Sequence, residues 1–282
     1  MARRLVSTAA KKQRARKRTI RRGSTDTETD MPLFTVSSSS SSVLDERIRE
    51  YIERPVVRAI RFQNRAYIVA GNQRCRGIHK ALRTRFYPSF RKPARTRVHS
   101  GRLAVASSKA IGKLVDSQIE RYLRAGCRAA RRLNRFTRAI ITYFEQQGEQ
   151  LQACQLPVHL EGTQVATQGD HFTVSRTERN LEGKPLLTMW ELKTGFSSGA
   201  SLSQGHLAAP LQAVKSTQFN HFELQRQATH DGFVRAGLKV DRSFVLHVHA
   251  RRADRASKTV HVIVDRLANA SWLHRVNLLG EL

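Results

Sequence analysis

The hydrophobic positions between Ser107 and Gly126 recur at steps of three and four residues, which is the spacing of one helical face. These positions are Ile111, Leu114, Val115, Ile119, Tyr122 and Leu123. The spacing predicts a helix that Ser107 or Ser108 would cap. A second helix is predicted from about Cys127 to Gln147. Its apolar repeat consists of Leu133, Phe136, Ile140, Tyr143 and Phe144.

From Leu156 onward the pattern changes to short runs of Val, Thr, Phe and Leu separated by turn residues, which is typical of strands. The predicted strands are Pro157–Val165, His171–Arg176, Leu186–Lys193, Phe244–Ala250 and Val260–Val264. The predicted turns are Asn180–Lys184, which contains Gly183, and Ala253–Lys258. A helix is predicted over Ser216–Gly232. The order is therefore helix, three strands, helix, two strands, with no internal repeat.

The first 43 residues have a different composition. Met1–Arg22 is rich in Lys and Arg, contains no acid and includes a dense basic block with Lys11 and Lys12. Such a block is typical of a nuclear import signal or a phosphate-binding arm. We favour the nucleus over a mitochondrial transit peptide, which would be a sparser amphipathic helix. Because Thr25–Asp30 and Ser37–Ser42 cannot bury enough apolar area to offset chain entropy, residues 1–43 are expected to be disordered.

Residues 44–104 form an Arg-rich region that is expected to be partly helical. Leu44–Tyr51 has a helical pattern with Asp45 near its start, and Pro88 and Pro93 interrupt the chain later. The remaining residues, 105–282, are expected to form the globular core.

The chain contains 50 Lys and Arg against 22 Asp and Glu among 282 residues, a formal net charge of +28. Such an excess attracts polyanions, so the expected partner is nucleic acid, DNA first and RNA as the alternative. Arginines occupy the polar face of the second predicted helix. We expect them to contact DNA phosphates rather than to be simply exposed to solvent. They are Arg128, Arg131, Arg132, Arg135 and Arg138. A ribosome-associated or packaging protein would carry the same charge, so charge indicates a partner and not an activity.

The cysteines and the hydropathy pattern argue against two other classes of protein. Cys75, Cys127 and Cys154 lie far apart without a CxxC pair, so neither a disulfide framework nor a cysteine zinc site is indicated. No stretch approaches the ~20 apolar residues that cross a bilayer, so no membrane partner is expected.

Two acids and one lysine stand at the ends of the predicted strands. Asp170 begins one strand, and Glu191 and Lys193 end the next. Because side chains alternate along a strand, Glu191 and Lys193 share a face while Leu192 points into the core. An antiparallel hairpin through Gly183 would bring Asp170 beside them. A divalent cation with oxygen ligands, most simply Mg²⁺, makes such a pair of carboxylates tolerable.

This pattern, Asp170 followed by Glu191-x-Lys193 at a strand end, resembles the motif of the PD-(D/E)XK nuclease superfamily. The sequence Glu-Leu-Lys-Thr-Gly is similar to the corresponding motif of the lambda-exonuclease-like branch. Gly169 stands where the family name has proline. The resemblance implies a restriction-endonuclease-like core, with a central mixed sheet flanked by helices. It also implies that Asp170, Glu191 and the backbone carbonyl of Leu192 bind Mg²⁺ or Mn²⁺, and that Lys193 is catalytic.

Two further positions follow from the resemblance, which covers about residues 105 to 265. The branch places a glutamine on the next helix, and Gln225 resembles it, although Thr229 stands where a tyrosine is usual. The family's upstream helix commonly offers an acid to the metal, and either Asp116 or Glu120 is suitably placed.

The expected function is that of a metal-dependent, exonuclease-like enzyme that hydrolyses phosphodiester bonds of DNA, as in repair or recombination. The alternative is a non-catalytic nucleic-acid-binding or coating protein that retains the nuclease fold. It is disfavoured because a binding module gains nothing from two buried acids near phosphate. A zinc site formed by His247, His249 and His261 is a weaker hypothesis, because the sequence does not fix the register of their strands and places no carboxylate nearby.

Overall fold

The computed structural model describes residues 29–31, 35–36, 44–54, 57–62, 65–70, 73–89, 97–99, 105–125, 132–195, 203–252, 260–275 and 277–282. Its helices are α1 (Glu46–Ile52), α2 (Ile78–Phe86), α3 (Ser108–Ala125), α4 (Arg135–Gln146) and α5 (Gln218–Arg235), with 3₁₀ turns at Ser271–Arg275 and Leu278–Glu281. The first strands are β1 (Thr29–Met31), β2 (Thr35–Val36), β3 (Val57–Phe62), β4 (Arg65–Ala70), β5 (Gln73–Arg74), β6 (Arg76–Gly77), β7 (Arg97–His99) and β8 (Val105–Ser107). The later strands are β9 (Glu149–Leu160), β10 (Val165–Arg179), β11 (Pro185–Thr194), β12 (Arg242–Arg252) and β13 (Val260–Arg266).

The largest sheet has the strand order β13-β12-β11-β10-β9-β2, and β6 pairs with β10 outside this path. The β9–β10 and β10–β11 pairs are antiparallel, whereas β11 and β12 are parallel. A parallel pair requires a crossover connection, and α5 lies in it. The expectation of an α/β fold with a central mixed sheet flanked by helices is therefore confirmed. Strands β1, β3, β4 and β5 form a second sheet, and β7 pairs with β8.

Each face of the main sheet is covered by a separate hydrophobic cluster. On one face Phe172 and Met189 pack with Phe233 of α5 and with side chains of α1 and α2. On the other face, Trp190 and Leu246 pack with side chains of α3 and α4. Met189 and Trp190 are adjacent in β11 and belong to different clusters, as strand alternation requires.

The expected helix at Leu44–Tyr51 is confirmed as α1, and it belongs to the same core as the sheet. Asp45 caps it by accepting a hydrogen bond from the Arg47 amide at 3.0 Å. The Arg47 guanidinium also donates to Asp241 Oδ2 at 2.7 Å, just before β12. Ile48 is fully buried among the side chains that line the α5 face. Residues of the 44–104 region therefore help to build the main core.

The expected strand Pro157–Val165 is wrong, because the chain turns inside it. β9 begins earlier, at Glu149, and ends at Leu160, and β10 begins at Val165. Gly162 adopts a positive φ of 77° in the turn, and the Thr163 hydroxyl donates to the Leu160 carbonyl at 2.7 Å. The expected strand His171–Arg176 is thus the middle of a longer strand, and Asp170 does not begin it.

The expected helix Cys127–Gln147 is also wrong at its start. The Asn134 side chain accepts a hydrogen bond from the Thr137 amide at 2.9 Å and caps α4, so the helix begins at Arg135. Arg132 precedes the helix and does not lie on its face, while residues 126–131 lie outside the described part of the chain.

The disordered segment expected at residues 1–43 contains two short strands, so that expectation is wrong for Thr29–Met31 and Thr35–Val36. Backbone hydrogen bonding to β3 and β9 orders them, which requires little apolar side-chain area. Of the basic block, Lys11 and Lys12 lie outside the described residues.

The other expected elements are close to the observed ones. The helices Ser107–Gly126 and Ser216–Gly232 correspond to α3 and α5. The turn Asn180–Lys184 is present, with Gly183 at a φ of 75°, and the turn Ala253–Lys258 lies outside the described residues. Within the described ranges, no helix combines the length and the apolar character needed to cross a membrane.

Candidate metal centre

The hairpin of β10 and β11 brings Asp170 and Glu191 together. The strands are antiparallel, and His171 pairs with Trp190, so Asp170 and Glu191 occupy the next positions along the ladder. Both lie two residues from core side chains of the α5 face, and alternation therefore puts their carboxylates on that face. The Leu192 amide donates to Asp170 Oδ2 at 2.7 Å, which ties the end of β11 to the interior of β10.

Glu191, Lys193 and Gln225 form a triangle of hydrogen bonds. The Glu191 Oε1 atom accepts from Lys193 Nζ at 2.5 Å and from Gln225 Nε2 at 2.6 Å. Lys193 Nζ also donates to Gln225 Oε1 at 3.1 Å. Glu191 is only 1% exposed, and its Oε2 atom has no hydrogen-bond partner among the described residues. A buried carboxylate oxygen without a donor is a position at which a cation could be coordinated.

Of the two acids on α3, Asp116 interacts with Glu191, whereas Glu120 pairs with Arg124. Burial raises the pKa of Asp116 to about 6, and the negative charge of Glu191 contributes to this shift. Asp116 therefore interacts electrostatically with Glu191. Its Oδ1 atom is buried without a hydrogen-bond partner in the described part of the chain. Glu120 instead forms an ion pair with Arg124 at 2.5 Å on the helix surface.

Gly112 explains how α3 approaches the strand end so closely. A Cβ atom at this position would lie 3.3 Å from Thr194 Oγ1, which leaves little room for a larger residue. Asp116 is one helical turn further on and therefore lies on the same side of α3 as Gly112. The packing of the helix against the end of β11 thus positions the third carboxylate.

Electrostatic repulsion and burial both disfavour the charged form of these acids. Burial raises the pKa of Asp170 to about 6, although the positive charge of Lys193 opposes the shift. Burial, followed by the charge of Asp170, raises the pKa of Glu191 to about 7. Three carboxylates face one ammonium group, so the centre lacks positive charge. A divalent cation with oxygen ligands would supply it, and carboxylate oxygens are donors of the kind that Mg²⁺ and Mn²⁺ take.

The spacing of the carboxylates limits how such a cation is held. Within the described residues, the His/Cys/Asp/Glu group whose ligand atoms all lie within 4.8 Å of one another is at His247, and not at Asp116, Asp170 and Glu191. A Mg²⁺ ion, which is commonly bound by one or two carboxylates and keeps several waters, would not need all three carboxylates as ligands.

Gln155 is a residue of the centre that the sequence did not indicate. Its side chain donates to Asp170 Oδ1 at 3.3 Å. Its φ is 57°, in the left-handed region that non-glycine residues rarely adopt. Strained backbone of this kind clusters at functional sites. An uncharged glutamine in a strand carries no sequence signal that distinguishes it from a surface residue.

Gly169, the residue before Asp170, has no room for a side chain. A Cβ atom there would lie 2.6 Å from Phe172 Cζ and 2.8 Å from Phe233 Cε2. Both rings are fully buried, so neither can move aside cheaply. The glycine lets the α5 face close over the strand immediately before Asp170.

The expected phosphate-binding arginines are described only in part. Arg132 and Arg138 are exposed, and Arg138 donates to the Leu133 carbonyl at 3.3 Å. Arg135 is half-buried, with its guanidinium 5.3 Å from the Phe136 ring centroid. Arg128 and Arg131 lie outside the described residues.

Comparisons with models of protein families, with curated proteins and with solved structures gave no match.

Proposed function

We propose that this protein is a metal-dependent nuclease of the PD-(D/E)XK type that hydrolyses phosphodiester bonds of DNA. The observation that supports the proposal most strongly is the convergence of Asp170, Glu191 and Lys193 at one buried strand end. A carboxylate oxygen without a donor lies in the same cluster.

The metal ligands in this proposal are Asp170, Glu191 and the backbone carbonyl of Leu192, with Asp116 close by. These groups offer only oxygen atoms, which Mg²⁺ and Mn²⁺ prefer. A divalent cation bound there would polarise the scissile phosphate and lower the pKa of a bound water. Asp116 adds negative charge that strengthens cation binding and can accept a hydrogen bond from water.

The ammonium group of Lys193 lies beside the carboxylate of Glu191. Its Nζ atom is fixed between Glu191 and Gln225, and it lies 5.4 Å from the Phe222 ring centroid. A fixed ammonium group can orient the attacking water and stabilise the charge that develops on the phosphoryl oxygens. Gln225 is a positioning residue, because its amide holds both the lysine and the carboxylate of Glu191.

The alternative, a coating protein without activity, explains the net charge of +28 but not the acidic cluster. Buried carboxylates repel phosphate and raise the energy of the folded protein, so a protein that only binds DNA has no use for them. A hydrolytic centre uses the same groups to hold its cation.

A cleavage assay on the full chain tests the proposal. The purified protein is incubated with end-labelled linear duplex DNA in Mg²⁺ or in EDTA, with circular DNA and single-stranded RNA as parallel substrates. We expect cleavage of DNA in Mg²⁺ and none in EDTA. Activity on linear but not circular DNA would identify an exonuclease. Absence of cleavage in Mg²⁺ and Mn²⁺, with tight DNA binding retained, would favour the coating protein.

Lys193→Ala separates catalysis from binding. The variant is expected to lose cleavage while its salt-dependent DNA affinity, measured by fluorescence anisotropy, stays close to that of the wild type. Lys239→Ala is the matched control, since this exposed lysine pairs with Glu182 at 3.2 Å. An equal loss of binding and cleavage in Lys193→Ala would make the lysine a phosphate anchor instead.

A further inference from the structure

Two histidines and one aspartate converge on the last hairpin, outside the carboxylate cluster. His247 and His249 are two residues apart in β12 and lie on one face of the strand. Asp265 of β13 pairs directly with His247 across the antiparallel ladder. The ligand atoms of these three residues all lie within 4.8 Å of one another.

We propose that His247, His249 and Asp265 form a binding site for a first-row divalent cation of the Zn²⁺ type. Two imidazoles and one carboxylate are a donor set that Zn²⁺ accepts, and they leave a coordination position open. Mg²⁺ prefers oxygen ligands, so the site differs in metal preference from the carboxylate centre. The inference does not depend on nuclease activity.

The surroundings of His247 prepare its ring for coordination. Its Nε2 atom donates to the backbone carbonyl of Gly195, which leaves the lone pair on Nδ1. Metal-ligating histidines commonly donate their other ring N–H to such a carbonyl, which fixes the tautomer and the ring orientation. The residue is 4% exposed, and the Phe219 ring packs edge-on at 5.8 Å.

His249 carries the second observation. Its Nδ1 atom is buried without a hydrogen-bond partner among the residues described, and it faces Asp265 Oδ2 at 3.7 Å. That separation is too long for a hydrogen bond. The rings of His247 and His249 are stacked, with centroids 4.9 Å apart. A cation between the three groups would give each of them a partner.

The site lies one strand away from the carboxylate centre. β11 and β12 are parallel, and Lys193 pairs with His247 in their register. Paired residues of neighbouring strands point to the same face, so both sites open on the face that α5 covers. A Zn²⁺ ion at His247 would therefore add positive charge beside Lys193.

Zn²⁺ titration of the tag-free full chain tests the proposal. The metal-stripped protein is titrated with ZnCl₂ by isothermal calorimetry in a buffer without Mg²⁺, and bound zinc is counted by mass spectrometry after dialysis. His249→Ala and Asp265→Asn are the test variants, and His261→Ala is the control, because His261 is an exposed histidine on β13. We expect one Zn²⁺ in the wild type and in the control, and at least about tenfold weaker binding in both test variants.

Two outcomes would overturn the site. One is equal Zn²⁺ affinity in all four proteins. The other is binding that survives Asp265→Asn but is lost in Asp170→Asn, which would assign the zinc to the carboxylate centre. Circular dichroism checks that each variant is folded. Asp265 is 49% exposed, so its replacement by the isosteric asparagine keeps the test available if His249→Ala does not fold.

Discussion

Replacing Glu191 by glutamine should stabilise the metal-free protein at alkaline pH. Burial, and then the charge of Asp170, raise the pKa of this carboxyl from its ordinary value of 4.5 to about 7 in the folded chain. Because the folded pKa exceeds the unfolded one, the folded protein binds more protons between these values. Stability is therefore greatest below the unfolded pKa and falls as the pH rises through the folded pKa.

The size of the effect follows from the shift. Each pKa unit corresponds to about 1.4 kcal/mol, so ionisation of Glu191 lowers the unfolding free energy by about 3 kcal/mol at pH 8. Glutamine resembles the neutral acid and keeps an oxygen acceptor for Lys193 and Gln225. Glu191→Gln should therefore gain about 2 kcal/mol more at pH 8 than at pH 5.

Urea unfolding in EDTA at the two pH values measures this difference. Glu161→Gln, on the exposed turn after β9, is the control and should behave as the wild type at both pH values. Added Mg²⁺ should stabilise the wild type by mass action and have little effect on Glu191→Gln. If Glu191→Gln were no more stable than the wild type at pH 8, the claim that ionisation of the buried Glu191 costs folding stability would be refuted.

Three further variants test other parts of the structure. Gly169→Ala should lower the unfolding free energy by about 1–3 kcal/mol and reduce cleavage, because its Cβ would overlap Phe172 and Phe233 beside the centre; thermal unfolding checks this, and a neutral effect would contradict it. The wild type should lose about 3 kcal/mol of unfolding free energy between pH 7 and pH 4 through protonation of His171, and His171→Leu should not show this loss. The reason is that burial lowers the pKa of His171 to about 3, so folding stability is lost as the pH falls below the unfolded value; an equal loss in His171→Leu in urea titrations would contradict this. Asn134→Ala should cost about 1 kcal/mol of stability through loss of the α4 cap and leave cleavage unchanged, and a loss of cleavage would link that helix to catalysis.

The shared face of Glu191 and Lys193 could be predicted from the sequence, because side-chain alternation along a strand depends only on neighbouring residues. Glu191 and Lys193 share a face, and Leu192 packs among the side chains of the other cluster. The order of elements follows from hydrophobic periodicity for the same reason. The position of Gln225 came from the resemblance, and the hydrogen bonds to Glu191 and Lys193 give it a physical role.

Features that depend on packing or register could not be predicted in this way. Asp116 and Glu120 are one helical turn apart and occupy the same side of α3, so the sequence does not distinguish them. The close approach of Gly112 to Thr194 distinguishes them, because Asp116 is one helical turn from Gly112 and Glu120 is two turns away.

The three-histidine cluster expected from the sequence is wrong for His261, again because of strand register. The register of β12 and β13 pairs His247 with Asp265 and Arg251 with His261, so the aspartate and not His261 completes the group. A hairpin's register depends on its turn geometry, which alternation alone does not reveal.

The most direct test of the proposed centre is anomalous diffraction from crystals of the protein soaked in Mn²⁺. We expect a peak within coordination distance of the carboxylates of Asp170 and Glu191, and its loss in Asp170→Asn. Well-diffracting crystals without a peak at these two residues would contradict the claim that the strand end holds a catalytic cation.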